Sequence, residues 1–395
     1  MFNRRMDKMT TFARASEICA KARHNMAESE SMIPLDGIGP GLDAQGERSP
    51  RRVTINDIAR QAGVSKTAVS FAFNTPNRLS AETTERILEV AHQLGYAPNP
   101  IARSLNTRRT NAIGVIVPQD ISEAFSNSFF SQLVRGIGQV CNFEGMSLMV
   151  IPPMRGSLLE ATYAALIDGC IVTGLEPEDE VVRALRQRGL PFVMIDADAP
   201  EHVACVNIND FEGARQAMQH ILRLGHHDIA IVSFESFSGK MEQYTGTLKH
   251  RFDGYRAALK EAGLTMNSRG IHCLECKCSM AGGIEVFNRL MQLVPRPTAV
   301  LTLSDMIAFG VIEAAQQHGL NVPGQLSVVG FDDLETSGLL RPALTTVRQP
   351  IHEKGQRAAE MLMDAVRKRP VLTKHLVLPV ELIVRKSTQR LEKGD

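Results

Sequence analysis

From Ile113 onward, short apolar runs alternate with stretches of helical spacing, and this alternation limits the fold more than any other feature of the chain. The runs are 113–118, 147–152, 169–173, 191–196, 228–233, 298–303 and 327–331, each rich in Val, Ile or Leu. Between them, 129–144, 179–188, 211–224, 252–262, 282–293 and 306–318 place apolar residues three and four apart. A strand that returns through a helix to its neighbour must pair parallel, and a parallel sheet needs helices on both faces. The pattern continues to about residue 388, which is too many elements for one sheet, so two similar α/β lobes are expected. Ligands in such folds lie beyond the carboxyl ends of the strands, which singles out Pro118, Asp196, Ser304 and Asp332.

Residues 51–110 differ in character. They carry nine Lys or Arg against four acids, a net of +5 in a chain whose total is +1, so the remainder is slightly acidic. A small basic module on such a body points to a polyanionic partner. Thr54 and Asp57 form a shortened capping box for a helix over 55–61, and Gly63 supplies a tight turn. Ser65 then caps a second helix, Lys66 to Asn74, and Ser80 a third, whose apolar face is Ile87, Val90, Ala91 and Leu94. Gly95 ends the third helix, and Pro98 and Pro100 block its continuation. Helix, glycine turn and short second helix make a helix-turn-helix, with Ala59 small at the crossing and Val64 and Val69 between the helices.

Other classes find little support. No run approaches the roughly 20 apolar residues of a membrane span. No apolar segment follows the charged residues of the N-terminus, so no secretory signal is read there. Seven scattered cysteines are not a disulfide framework and suit a reducing cytoplasm. Cys273, Cys276 and Cys278 have no fourth ligand nearby and read as thiols on a strand rather than a metal site. Phosphate loop, nucleophile elbow and zinc-protease helix are all missing, so neither catalytic residues nor a cofactor is expected. Residues 1–50 are expected to be a disordered extension or a product of too early a start codon. After Arg385 no leucine heptads appear, so no coiled coil is expected.

Val53-Thr-Ile-Asn-Asp57-Ile-Ala-Arg-Gln-Ala-Gly63-Val-Ser65-Lys-Thr-Ala-Val69-Ser70 resembles the start of lactose-repressor (LacI/GalR) family regulators, and so does Tyr96-Ala-Pro98-Asn99-Pro-Ile-Ala102-Arg103-Ser104-Leu105. In the body, Arg251-x-x-Gly254-Tyr255, Asp305-x-x-Ala308-x-Gly310, Gly330-Phe331-Asp332-Asp333 and Leu344-Thr-Thr-Val347 continue the resemblance, which covers about residues 52–388. It implies an all-α helix-turn-helix head over 51–98, a hinge helix and linker over 99–111, and a two-lobed body over 112–388 like the periplasmic binding proteins, with a tail over 389–395. The implied function is a transcriptional regulator, a repressor that binds a palindromic operator as a cytoplasmic, nucleoid-associated homodimer. The implied effector lies between the lobes and is a sugar or sugar derivative, with a nucleobase as the alternative.

By the same resemblance the second helix lies in the major groove. Lys66, Thr67 and Phe71 match the family's base-reading positions: Lys66 can donate to guanine, Thr67 offers a hydroxyl and a methyl, and Phe71 only apolar contact. Packing within the head is the competing role for Phe71. Thr54, Ser65, Ser70 and Asn74 are short polar groups suited to phosphates. In the hinge, Ala102, Arg103 and Leu105 suit the minor groove, Leu105 matching the leucine that wedges between central base pairs. The resemblance gives the cleft an aromatic wall of Phe129 and Phe130, with Asp196, Arg251, Ser304 and Asp332 as polar groups for ligand hydroxyls. Asp305 and Asp332 have helix capping as their competing role.

Overall fold

The computed structural model describes residues 53–97, 104, 107, 109–235 and 244–391. The chain falls into two compact units that divide between residues 99 and 100.

The first unit is a bundle of α1 (Ile55–Ala62), α2 (Lys66–Asn74) and α3 (Ala81–Gln93), with a 3₁₀ turn over Pro76–Arg78. Each helix begins where a short polar side chain can occupy amide hydrogens that the first turn leaves unpaired. The Thr54 amide and hydroxyl donate to Asp57 Oδ2 at 2.9 and 2.7 Å, Ser65 Oγ accepts from the Ala68 amide, and Ser80 Oγ from that of Thr83. Gly63 sits at φ +67°, the left-handed conformation that closes α1 and turns the chain into α2. Ile58, Val69 and Ile87, one from each helix, are fully buried and make the centre of this small core.

The second unit has two lobes, each built on a six-stranded sheet. The first lobe holds β1 (Ala112–Ile116), β2 (Ser147–Ile151), β3 (Gly169–Thr173), β4 (Phe192–Ile195), β5 (Ala204–Ile208) and β11 (His375–Leu378) in the order β11-β5-β4-β3-β1-β2, all parallel. The second holds β6 (Ile229–Phe234), β7 (Ile271–Cys276), β8 (Ala299–Thr302), β9 (Ser327–Asp332), β10 (Thr345–Arg348) and β12 (Glu381–Ile383), ordered β12-β10-β9-β8-β6-β7, with only the β10–β12 pair antiparallel. α4 (Ile121–Ser126), α5 (Ser128–Glu144), α6 (Leu158–Ala164), α7 (Glu180–Gln187) and α12 (Ile351–Val366) belong to the first lobe. α8 (Asp210–Arg223), α9 (Gly246–Glu261), α10 (Met280–Leu290) and α11 (Asp305–Gln317) belong to the second.

Among the described residues the chain therefore crosses between lobes three times, after β5, after β10 and after β11. Each crossing leaves from the carboxyl end of a parallel strand, the same edge at which a ligand would lie. On the first lobe, α12 packs against α5 backbone to backbone at two glycines. A Cβ on Gly136 would stand 2.0 Å from the His352 carbonyl oxygen, and one on Gly355 2.3 Å from that of Leu133. Only glycine allows two helix backbones to approach so closely.

All seven expected strands form, within two residues at each end, and all six helical stretches are helical. The structure adds β5, β7, β10, β11 and β12, together with α4, α6 and α12. Of the three thiols read as lying on a strand, Cys273 and Cys276 lie on β7, and Cys278 falls just beyond its end. The helix expected over 252–262 begins earlier, at Gly246. Most of the hinge assigned to 99–111, and all of residues 1–50, lie outside the described residues.

Candidate functional site

Two groups of residues concern function, one in each unit. In the head, burying Val69 and Ala72 turns the opposite face of α2 outward, which leaves Lys66 and Thr67 exposed on its first turn and Ser70 and Phe71 half-buried. Several of the expected phosphate contacts are already engaged within the head. Thr54 is tied to Asp57, Ser65 caps α2, and Asn74 Nδ2 donates to the Ser70 carbonyl at 3.0 Å. The Phe71 ring lies beneath the Arg78 guanidinium, 5.1 Å from its centroid. That contact brings a cation to this face from outside α2, and nothing in the helix pattern pointed to Arg78. Ala102, Arg103 and Leu105 lie outside the described residues.

In the body, the strand ends bring Asp196, Ser304 and Asp332 together at the facing edges of the two lobes. A lysine links them. Lys354, in the first turn of α12, is fully buried, and its ammonium donates to both Asp196 oxygens at 2.7 and 2.9 Å and to Gln349 Oε1 at 2.6 Å. Gln349 Nε2 then donates to Asp332 Oδ1 at 2.6 Å, while Ser304 Oγ donates to Asp332 Oδ2 at 3.1 Å. One polar chain thus runs from the first lobe through the crossing segment into the second. The half-buried Phe129 ring lies 5.6 Å from the ammonium and forms part of the same wall.

Arg251, on α9, stands beside this chain. Its Nε donates to Asp210 Oδ1 at 2.7 Å and its Nη1 to the Leu303 carbonyl at 2.6 Å, and its plane lies 3.6 Å from the Phe331 ring centroid. Burial alone would lower its pKa, but Asp210 and Asp332 raise it overall. Burial pushes the Asp210 carboxyl up, against the pull of Arg251. Burial, and after it the Asp305 carboxylate, push Asp332 up to about 7, with Arg251, Gln349 and Ser304 opposing. The backbones of Asp196 and Asp332 have φ +57° and +129°, strained values for residues with side chains, held by the bonds just described.

Next to Asp196 a cavity of about 300 Å³ opens, lined by Asp198, Asn207, Asn209, Asp210, Thr247 and His250 among others. Its volume is at the lower end of ordinary small-molecule sites. His250 Nε2 lies 2.7 Å from Asp198 Oδ1, joining the lobes at the rim.

One expected wall residue is buried, and one competing role is not found. Phe130 is buried in the first lobe's core, edge-on to Phe125 at 5.2 Å, whereas the half-buried Phe129 ring lies against the Lys354 ammonium. Neither Asp305 nor Asp332 caps a helix. Ser304 caps α11, while Asp305 is a buried anchor that accepts from the Leu334 amide at 2.9 Å, Ser337 Oγ at 2.6 Å and Thr346 Oγ1 at 2.5 Å.

Asp210, Gln349 and Lys354 were not anticipated. The first two follow β5 and β10, and the strand-end rule reaches them once those strands are recognised. Lys354 gave no such signal, because a lone lysine in an amphipathic helix reads as solvated. Among the described residues, no three His, Cys, Asp or Glu are grouped to hold a metal, and no helix is long and apolar enough to cross a membrane.

Residues 54–99 match the family model for bacterial regulatory proteins of the lacI family, and residues 218–388 match that for periplasmic binding protein-like domains. Catabolite control protein A of Priestia megaterium is 32% identical over 343 residues, spanning 85% of this chain and 99% of that protein. The HTH-type transcriptional repressor PurR of Photobacterium profundum is 30% identical over 346 residues, spanning 86% and 99%. Among solved structures, the lac repressor dimer bound to operator and the anti-inducer ONPF aligns with a TM-score of 0.71 at 26% identity, covering 86% of this chain and all of that one. The transcriptional regulator CelR in complex with cellobiose aligns at 0.63 and 26%, covering 85% of this chain and 100% of that one.

Proposed function

We propose, proceeding from the fact that this chain belongs to the lacI family of bacterial regulatory proteins, that it is a repressor whose hold on a palindromic operator is set by a sugar or sugar derivative bound between the two lobes. Family membership makes it a DNA-binding transcriptional regulator, not an enzyme. The observation that carries the finer reading is the polar chain Asp196–Lys354–Gln349–Asp332–Ser304, which crosses from one lobe to the other beside a ligand-sized cavity. A ligand that hydrogen-bonds both ends of that chain has a different affinity for each lobe arrangement, and only such a difference can shift their populations. Support for a sugar comes from the cellobiose and ribose named in the complexes of similar regulators. The exposed first turn of α2, with Lys66 and Thr67, supports base reading in the major groove.

In this reading the protein works as a homodimer, its two-fold symmetry matching the palindrome. The head spans 51–98, the hinge 99–111 and the effector body 112–388. Ala102 and Arg103 enter the minor groove and Leu105 wedges the central step, for which unstacking costs a few kcal/mol. The test is selection of the full chain against a random duplex library near physiological salt, first alone and then with a pool of sugars. Enrichment of a palindrome that the pool weakens is the expected result. A palindrome that appears only with the pool replaces release by corepression, and no enrichment in either arm refutes operator reading.

A further inference from the structure

We propose that Lys354 sets the charge class of the ligand: by neutralising Asp196 at the floor of the cleft, it reserves the site for an uncharged polyhydroxyl compound and excludes phosphorylated sugars. This rests on the reading that a sugar-like effector binds between the lobes.

The cavity is rich in carboxylates, and among the described residues the cationic side chains at its edge are already engaged. Asp196, Asp198 and Asp210 line it, and Asp332 stands at the other end of the polar chain. Arg251 is held by Asp210 and the Leu303 carbonyl, and His250 faces Asp198. Lys354 has three ammonium hydrogens and three acceptors within 2.9 Å, two on Asp196 and one on Gln349. Each of these three cationic or titratable side chains thus already faces a carboxylate of this chain. A phosphate dianion would have to draw one of them away, leaving an unpaired carboxylate beside the new anion, a costly arrangement in a partly dehydrated site.

Hydroxyl groups face no such conflict. A carboxylate offers about four acceptor positions, and the ammonium takes one on each Asp196 oxygen, so hydroxyl hydrogens can use the others without changing the charge balance. Nor can Lys354 easily swing aside to serve an anion. Its neighbour Gly355 brings α12 against the backbone of α5, where a Cβ would stand 2.3 Å from the Leu133 carbonyl oxygen, and the lysine side chain is fully buried. If the ammonium is removed, Asp196 becomes an unpaired carboxylate, which favours a ligand that brings its own cation.

The full chain is titrated by calorimetry with glucose, galactose, mannose, fructose, ribose and cellobiose, and with a phosphate ester of each. Any sugar that binds is expected to lose at least 100-fold in affinity on phosphorylation. An ester that binds as tightly as its parent, or more tightly, overturns the charge class and leaves the sugar reading standing. If no compound of either series binds a protein that still selects its palindrome, the sugar reading fails and this inference with it. Lys354→Met is then titrated with the binding sugar and its 2-amino-2-deoxy analogue, and the affinity ratio is expected to move at least 10-fold toward the amino sugar. Lys354→Arg keeps the charge and is expected to leave that ratio alone. An unmoved ratio in a folded Lys354→Met protein refutes the assignment to Lys354.

Discussion

Replacing Asp332 with asparagine tests the electrostatics of the cleft without breaking its hydrogen bonds. Asp332 Oδ1 accepts from Gln349 Nε2 and Oδ2 accepts from Ser304 Oγ. An asparagine can keep the first bond through its carbonyl oxygen and the second by donating its amide to the serine oxygen. The substitution therefore removes a titration and little else. In the folded protein, burial and then the Asp305 carboxylate hold the Asp332 pKa at about 7, against an ordinary value near 3.8. The native state thus binds the proton more tightly than the unfolded chain does. Its stabilisation is complete below the unfolded pKa and is lost as pH rises through about 7.

A difference of about three pH units, at about 1.4 kcal/mol each, bounds the total loss at roughly 4 kcal/mol, of which about 2–3 falls between pH 5 and 8. The chain has no tryptophan, so urea unfolding is followed by far-ultraviolet circular dichroism. Wild type and Asp332→Asn are compared at pH 5, 6, 7 and 8, which cancels the titrations they share. The variant is expected to gain on wild type up to about pH 7 and little beyond it, on the order of 2 kcal/mol in all. Parallel profiles would refute the raised carboxyl. A variant less stable than wild type at pH 8 would show that the carboxylate itself holds the lobes.

Arg251→Ala leaves Asp210 buried without its partner, so a loss of about 3–5 kcal/mol is expected in the same assay, and Arg251→Ala with Asp210→Asn should recover part of it. No recovery would mean that the Leu303 carbonyl contact, not the ion pair, is what matters. Gly254→Ala places a Cβ 2.2 Å from the Phe211 carbonyl oxygen between α9 and α8, and an unfolding free energy lowered by at least about 2 kcal/mol is expected. Lys66→Ala should weaken the selected palindrome by about 1–3 kcal/mol in fluorescence anisotropy and random duplex by less, whereas equal losses on both would make it a phosphate contact. Leu105→Ala should likewise cost the palindrome more than random duplex, and equal losses would remove the wedge.

Local chemistry made the head legible. Thr54, Gly63, Ser65 and Ser80 each fix a helix boundary through a group within three or four residues, and those boundaries appear in the structure at the residues that encode them. The central strands were legible for a related reason: strands buried on both faces leave unbroken apolar runs, as 113–116, 169–172 and 229–232 do. The missed strands lack that signature. β11 and β12 lie at sheet edges, where Val377 and Glu381 face solvent, and β10 ends in the exposed Arg348.

The cleft was only half legible, because its parts arrive by different routes. Asp196, Ser304 and Asp332 end strands that can be read directly. Asp210 and Gln349 sit on crossing segments, and their place depends on knowing that the chain changes lobes there, a fact of topology that no local pattern carries. Lys354 is harder still. Its burial is decided by Gly136 and Gly355, whose missing side chains let α12 sink against α5 and carry the lysine to Asp196. The residue with most control over the charge of the cleft is thus placed by a backbone approach between two helices, and by itself it resembles any solvated lysine of an amphipathic helix.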